Sequence, residues 1–246
     1  MPLAEEFERS GIWLFRWRSY LPIATVALLL GSLNQFNYPN GSHALDRAWE
    51  VFCILLSFAG LGVRVLTAGF APKGTSERNS RRHLAERLNT TGMYSLVRHP
   101  LYLGNFLIAL GVFSFMRVWW LIVIYALVFA LYYERIMFAE EKFLREKFGE
   151  EYLAWATRTP AFLPRRWRWQ APDLTFSWKA VLRREYRTPL YIVAVMFLLE
   201  LATDFRVERR FVMDLLWISL LLISFGLFAV VRVLQKKTCF LEVEGH

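Results

Sequence analysis

The stretch Asn89-Thr90-Thr91-Gly92-Met93-Tyr94-Ser95-Leu96-Val97-Arg98-His99-Pro100-Leu101-Tyr102-Leu103-Gly104-Asn105 sets polar and ionisable side chains at the mouth of an apolar run that continues to Met116. A helix meeting a membrane surface needs only anchors there, so the cluster marks this junction as the place to look for chemistry. Pro100 suits the first turn of a helix, where the missing N–H has no partner to lose, and it pushes His99 out of helical conformation. His99 therefore stands at the helix mouth beside free backbone donors. Such a position favours anionic groups, including the carboxylate of an amino-acid-like ligand.

Outward from this junction the chain is dominated by apolar runs. Its 246 residues are 56% hydrophobic and 17% aromatic, and the mean hydropathy of +0.30 fits a membrane protein better than a soluble domain. A spanning helix needs about 20 mostly apolar residues. Candidates lie at Tyr20 to Phe36, Trp49 to Phe70, Leu101 to Met116, Val118 to Ala139, Leu190 to Ala202 and Phe211 to Leu234. The third and fifth are short and are also open to a re-entrant reading. The expected fold is an all-α integral membrane protein with about six transmembrane helices. It divides into an N-terminal helix pair (1–70), a central core (71–164), and an interfacial segment with a C-terminal helix pair (165–246).

The net charge of +9 is concentrated between the second and third runs and between the fourth and fifth. The positive-inside rule makes both segments cytoplasmic and predicts a multi-pass protein with both termini inside. Arg206, Arg209 and Arg210 stand against this topology. Because the charges flank apolar spans, they read as topology signals and contacts to anionic headgroups, and nucleic acid is excluded as a partner. The basic loop with Lys73, Arg78, Arg81, Arg82 and Arg87 suits both plain topology and an anionic headgroup. The two cysteines, Cys53 and Cys239, offer neither a disulfide framework nor a thiolate metal site, and no metal is expected.

The fourth run is expected to continue as an amphipathic helix, since Tyr133, Ile136, Glu140, Leu144, Phe148, Tyr152 and Trp155 recur at helical spacing. Glu140 falls within this apolar and aromatic stripe. Glu141 lies about 100° round the helix and can pair with Arg145 at i+4. So Glu141 has a structural explanation, whereas Glu140 needs a positive partner. Glu200 and Asp214 are acids in or beside apolar runs, open to a functional or a helix-pairing role.

Two blocks in this order, Arg98-His99-Pro100-Leu101-Tyr102-Leu103-Gly104 and Glu140-Glu141-Lys142-Phe143-Leu144-Arg145-Glu146-Lys147-Phe148-Gly149-Glu150-Glu151-Tyr152, resemble the signatures of the isoprenylcysteine carboxyl methyltransferase and phospholipid methyltransferase superfamily. The resemblance covers Thr90 to Pro164. It implies an integral membrane methyltransferase with a cytoplasmic pocket for S-adenosyl-L-methionine, held by Tyr94, His99, Pro100, Leu101, Tyr102 and Glu140. His99 and Glu140 are the implied catalytic residues together with Arg98, for which positive-inside anchoring is an equal explanation. His99 is also open to a helix-capping role, and Tyr94 and Tyr102 to one in the interfacial belt. The superfamily's prenylcysteine enzymes carry an arginine one turn before the glutamate, where this chain has Ile136. That departure points away from prenylated protein termini and towards a lipid phosphate, a lipid amine, or a small hydrophobic thiol or carboxylate. A methyltransferase of small thiols and a non-catalytic membrane protein of the same fold are the alternatives. The oligomeric state is not fixed by the sequence.

Overall fold

In a computed structural model, residues 3–17, 21–36, 43–72, 87–165, 169–209 and 214–238 are described. They form helices α1 (Leu3–Trp17), α2 (Leu21–Ser32), α3 (His43–Gly69), α4 (Pro100–Phe115), α5 (Trp119–Phe148), α6 (Glu150–Ala156), α7 (Trp178–Glu185), α8 (Thr188–Glu208) and α9 (Leu215–Lys237), with short 3-10 turns at Leu33–Gln35 and Gly92–Ser95. No strand occurs among the described residues. Lys73, Arg78, Arg81 and Arg82 of the basic loop fall outside them, as do Arg210 and Cys239.

Among the described residues, three helices are long and apolar enough to cross a membrane: Leu45–Gly69, Trp119–Phe148 and Leu215–Lys237. The third expected span is the 16-residue α4, about 24 Å long and short of a bilayer core of about 30 Å. The first is not one long helix. It is the 12-residue α2, preceded by an amphipathic α1 that the apolar pattern did not reveal. α1 lies along α5, where Tyr132 Oη donates to the Leu14 carbonyl at 2.7 Å and Lys142 pairs with Glu8; the 3-10 turn after α2 meets the start of α5, where Trp120 Nε1 donates to Gln35 Oε1 at 2.7 Å.

Helices α3 and α4 cross closely, and small residues explain it. A Cβ on Gly60 would stand 2.6 Å from the Gly104 carbonyl oxygen, and one on Gly111 would stand 2.5 Å from that of Cys53. The backbones therefore approach as only glycine allows, and Ser57 Oγ ties them by donating to the Ile108 carbonyl at 2.8 Å. Inside the α4–α5 hairpin the rings of Phe113, Tyr125, Phe106, Phe129 and Tyr133 form a column whose neighbouring centroids lie 4.1–5.6 Å apart. This column leads to Tyr102, 4.7 Å from Tyr133, and so to the polar end of the hairpin.

The opposite end carries its own charges. Arg117, at φ 55° in the α4–α5 turn, pairs with Asp46 and lies over Phe36 at 4.7 Å. Asp46, Glu50 and Glu200 are buried with carboxylate oxygens within 4.8 Å of one another, and Trp217 Nε1 donates to Glu50 at 3.3 Å. Asp214 accepts from the Leu216 amide as the cap of α9 and pairs with Arg47 at 3.2 Å. Arg206 donates to Asn34 at 3.1 Å. The basic residues that stood against the expected topology thus include one whose partner is at this end.

Candidate active site

The site end is assembled from the N-terminus of α4, the C-terminal third of α5 and the segment after α6. Pro100 occupies the first turn of α4 and His99 its cap, with φ −123° and ψ 62°. The first helical bond runs from the Leu103 amide to the His99 carbonyl at 3.1 Å, so the amides of Leu101 and Tyr102 precede it. Two ladder-like bonds hold the approach: the Arg98 amide donates to Pro160 O at 2.9 Å and the His99 amide to Ala161 O at 3.1 Å. Gly92, at φ 59°, turns the preceding loop. Trp155 of α6 donates from Nε1 to the Tyr94 carbonyl at 3.1 Å.

Within this frame His99 and Tyr102 meet Glu140. Tyr102 Oη donates to Glu140 Oε1 at 2.6 Å, and His99 Nδ1 lies 3.5 Å from Glu140 Oε2. The His99 and Tyr102 rings stack at 5.6 Å. Burial of the Tyr94 hydroxyl and the nearby charge of Glu140 push its pKa above the usual tyrosine range, while Arg184 of α7 acts in the opposite sense. Pro100 and Leu101 contribute the backbone of the first turn. Ile136 is fully buried.

Glu141 departs from expectation. It does not spend its charge on Arg145 but accepts from Arg98 Nε at 2.9 Å and faces His99 Nε2 at 3.0 Å. A surface i+4 pair contributes only a few tenths of a kcal/mol, whereas a charged hydrogen bond in a half-buried site contributes about 1.5–3 kcal/mol. The buried Tyr152 also interacts with Glu141. Arg98 donates from Nη1 to the carbonyls of Ala156 and Thr159 at 2.8 and 3.2 Å, which ties Glu141 to the end of α6.

His99 is buried, and burial works against its charge. The hydrogen bonds and charges of Glu140 and Glu141 outweigh that cost and hold its pKa above the ordinary histidine value. The arrangement presents an imidazole between two carboxylates, one of which also receives a tyrosine hydroxyl. A neighbouring cleft of ≈ 390 Å³ is lined by Thr90, Ser95, Trp155, Arg158, Thr159 and Gln170. It abuts the Tyr94 loop, and the His99–Glu140 cluster is not part of its lining. Glu141, Tyr152 and Arg184 escaped the sequence reading because their partners are far away in the chain. For Glu141 the adjacent acid pair was the available signal.

Fold and site together define a helical membrane protein with an ionisable cluster at one end of a helical hairpin. Residues 50–151 match the phospholipid methyltransferase family. The chain is 34% identical over 159 residues to the nickel-cobalt-cadmium resistance protein NccN of Alcaligenes xylosoxydans xylosoxydans, covering 64% of this chain and 65% of that one. It is also 34% identical over 151 residues to the cobalt-zinc-cadmium resistance protein CzcN of Cupriavidus metallidurans, covering 61% and 62%. With the protein-S-isoprenylcysteine O-methyltransferase of Schizosaccharomyces pombe it shares 29% identity over 112 residues, 44% of this chain and 48% of the enzyme. The chain thus spans a little under two thirds of the length of the first two relatives. No solved structure matches it significantly. Through its central region the chain resembles the isoprenylcysteine and phospholipid methyltransferase superfamily.

Proposed function

We propose that the protein is a membrane methyltransferase that takes its methyl group from S-adenosyl-L-methionine and passes it to a lipidic or hydrophobic acceptor. The observation that carries this reading is the convergence of His99, Tyr102 and Glu140 at the N-terminus of α4, within the family-matched segment. The donor set fits the cofactor. Glu140 offers a carboxylate to an ammonium or to ribose hydroxyls, the amides at the start of α4 offer donors to a carboxylate, and Tyr94 and Tyr102 offer rings. When bound, the cofactor supplies an electrophilic methyl on sulfur. The protein's task is to align and desolvate. His99 and Tyr102 fix Glu140, and Arg98 anchors the neighbouring Glu141.

Calorimetric titration of S-adenosylhomocysteine into detergent-purified protein tests this reading. Wild type is expected to bind saturably, and Glu140→Gln and His99→Ala to lose at least about tenfold in affinity while keeping the wild-type elution profile. Wild-type affinity in both variants would remove the site assignment. The names of two relatives favour a second reading, a membrane component of metal resistance without methyl transfer. Folded wild-type protein that takes up no S-adenosylhomocysteine would move the weight to it.

The proposed topology has six crossings, with α1 and α2 making the first together and the site end in the cytoplasm. The basic segments flank that end, and charges at the other end have partners there. We keep 1–70, 71–164 and 165–246 as topological units, and a lipid phosphate, amine or carboxylate as the acceptor class. Single cysteines placed at Glu5 and Lys236, in a Cys53→Ala and Cys239→Ala background, should react with a membrane-impermeant maleimide only after the cells are lysed. Labelling of intact cells at either position would reject this orientation.

A further inference from the structure

Both ring nitrogens of His99 face carboxylates, Nδ1 that of Glu140 at 3.5 Å and Nε2 that of Glu141 at 3.0 Å. A neutral imidazole has one N–H and would turn a lone pair towards one of these acids, whereas an imidazolium donates to both. The ring cannot escape to water, because its side chain is only 6% exposed and it stacks on Tyr102. The groups around it are Glu140 and Glu141 from α5, Arg98 from the adjoining chain, Tyr102 from α4, Tyr94 from the loop before α4, and Tyr152 from α6. Glu141 is itself firmly held. Arg98 grips it and is itself fixed to the carbonyls of Ala156 and Thr159.

We propose that Glu141 is a positioning residue that keeps His99 doubly protonated, so that a fixed N–H points at Glu140 and sets the orientation of that carboxylate. His99 then has no lone pair with which to take a proton from an acceptor, and it serves as a clamp rather than a base. The link from Glu140 to the cofactor rests on the function proposed above. The coupling of Glu141 to His99 does not.

The test uses detergent-purified protein carrying ¹⁵N-labelled histidine. The chain has four histidines, and the His99 signals are those lost in His99→Asn. Wild-type His99 is expected to show two protonated ring nitrogens at neutral pH. In Glu141→Gln the titration midpoint should fall by about 1–2 pH units, and in Glu141→Asp by less. Affinity for S-adenosylhomocysteine in Glu141→Gln should fall about tenfold at neutral pH and recover once the pH is below the new midpoint. A misfolded variant would not recover in this way. A neutral His99 in the wild type, an unmoved midpoint in Glu141→Gln, or a moved midpoint with unchanged affinity would each overturn the proposal. Absence of binding by wild-type protein would instead sink the proposed function, and the ring titration would still decide whether Glu141 governs His99.

Discussion

Two adjacent glutamates with the same side chain have different surroundings because the helix turns between them. Glu140 was legible in the sequence as an acid in an apolar stripe, whereas the setting of Glu141 depends on Arg98, 43 residues earlier, and on a contact between α5 and the segment around α6. Local spacing could offer Glu141 only Arg145. The same nonlocality concealed Tyr152. His99 is the residue whose placement the sequence revealed best, because Pro100 restricts the backbone on either side of their peptide bond. Its raised pKa gives a sign for pH dependence. A group whose folded pKa lies above its unfolded value of 6.5 stabilises fully below that value, and the contribution is lost as pH rises through the folded pKa. The melting temperature of detergent-purified wild type should therefore fall more steeply than that of His99→Asn as the pH rises above 6.5. Parallel profiles would show that the imidazole carries no folding-linked proton.

At the scale of elements, the apolar runs located α3, α5 and α9 well, because long runs have no competing interpretation. Gly149, at φ 54°, ends α5 and starts α6, so the expected continuous amphipathic helix is broken where only a left-handed residue fits easily. The amphipathic α1 was missed because it has neither the length nor the uniform apolarity of a span. Its partner is the flank of α5 rather than lipid alone. The α3–α4 crossing yields a direct prediction. Gly60→Leu should force the helices apart and destabilise by about 1–3 kcal/mol, visible as a lower melting temperature. Gly62→Leu on the same helix serves as the control, since a Cβ at Gly62 meets nothing within 4 Å. Equal melting of the two variants would refute close packing at Gly60.

Across the molecule, the ion pairs among the described residues gather at its two ends, with apolar helix between them. The acids at the far end were individually visible in the sequence, but that Asp46, Glu50 and Glu200 gather beside Arg117 was not, because three separate segments meet there. One further contact joins the ends of the sequence at the site end. Arg64 of α3 donates to Glu185 of α7 through Nε at 3.0 Å and Nη2 at 2.7 Å, and also reaches Asn105 of α4. The two charged side chains are only 16% and 7% exposed, so separating them would leave an uncompensated buried charge at a cost of about 3–5 kcal/mol. The chain can therefore be cut without being divided. Residues 1–165 and 166–246 produced as two polypeptides in one cell should find each other and purify as a complex through a tag on either piece. Arg64→Ala in the first piece should weaken that reunion, and retention of the complex undiminished would show that the halves are held by apolar contacts alone.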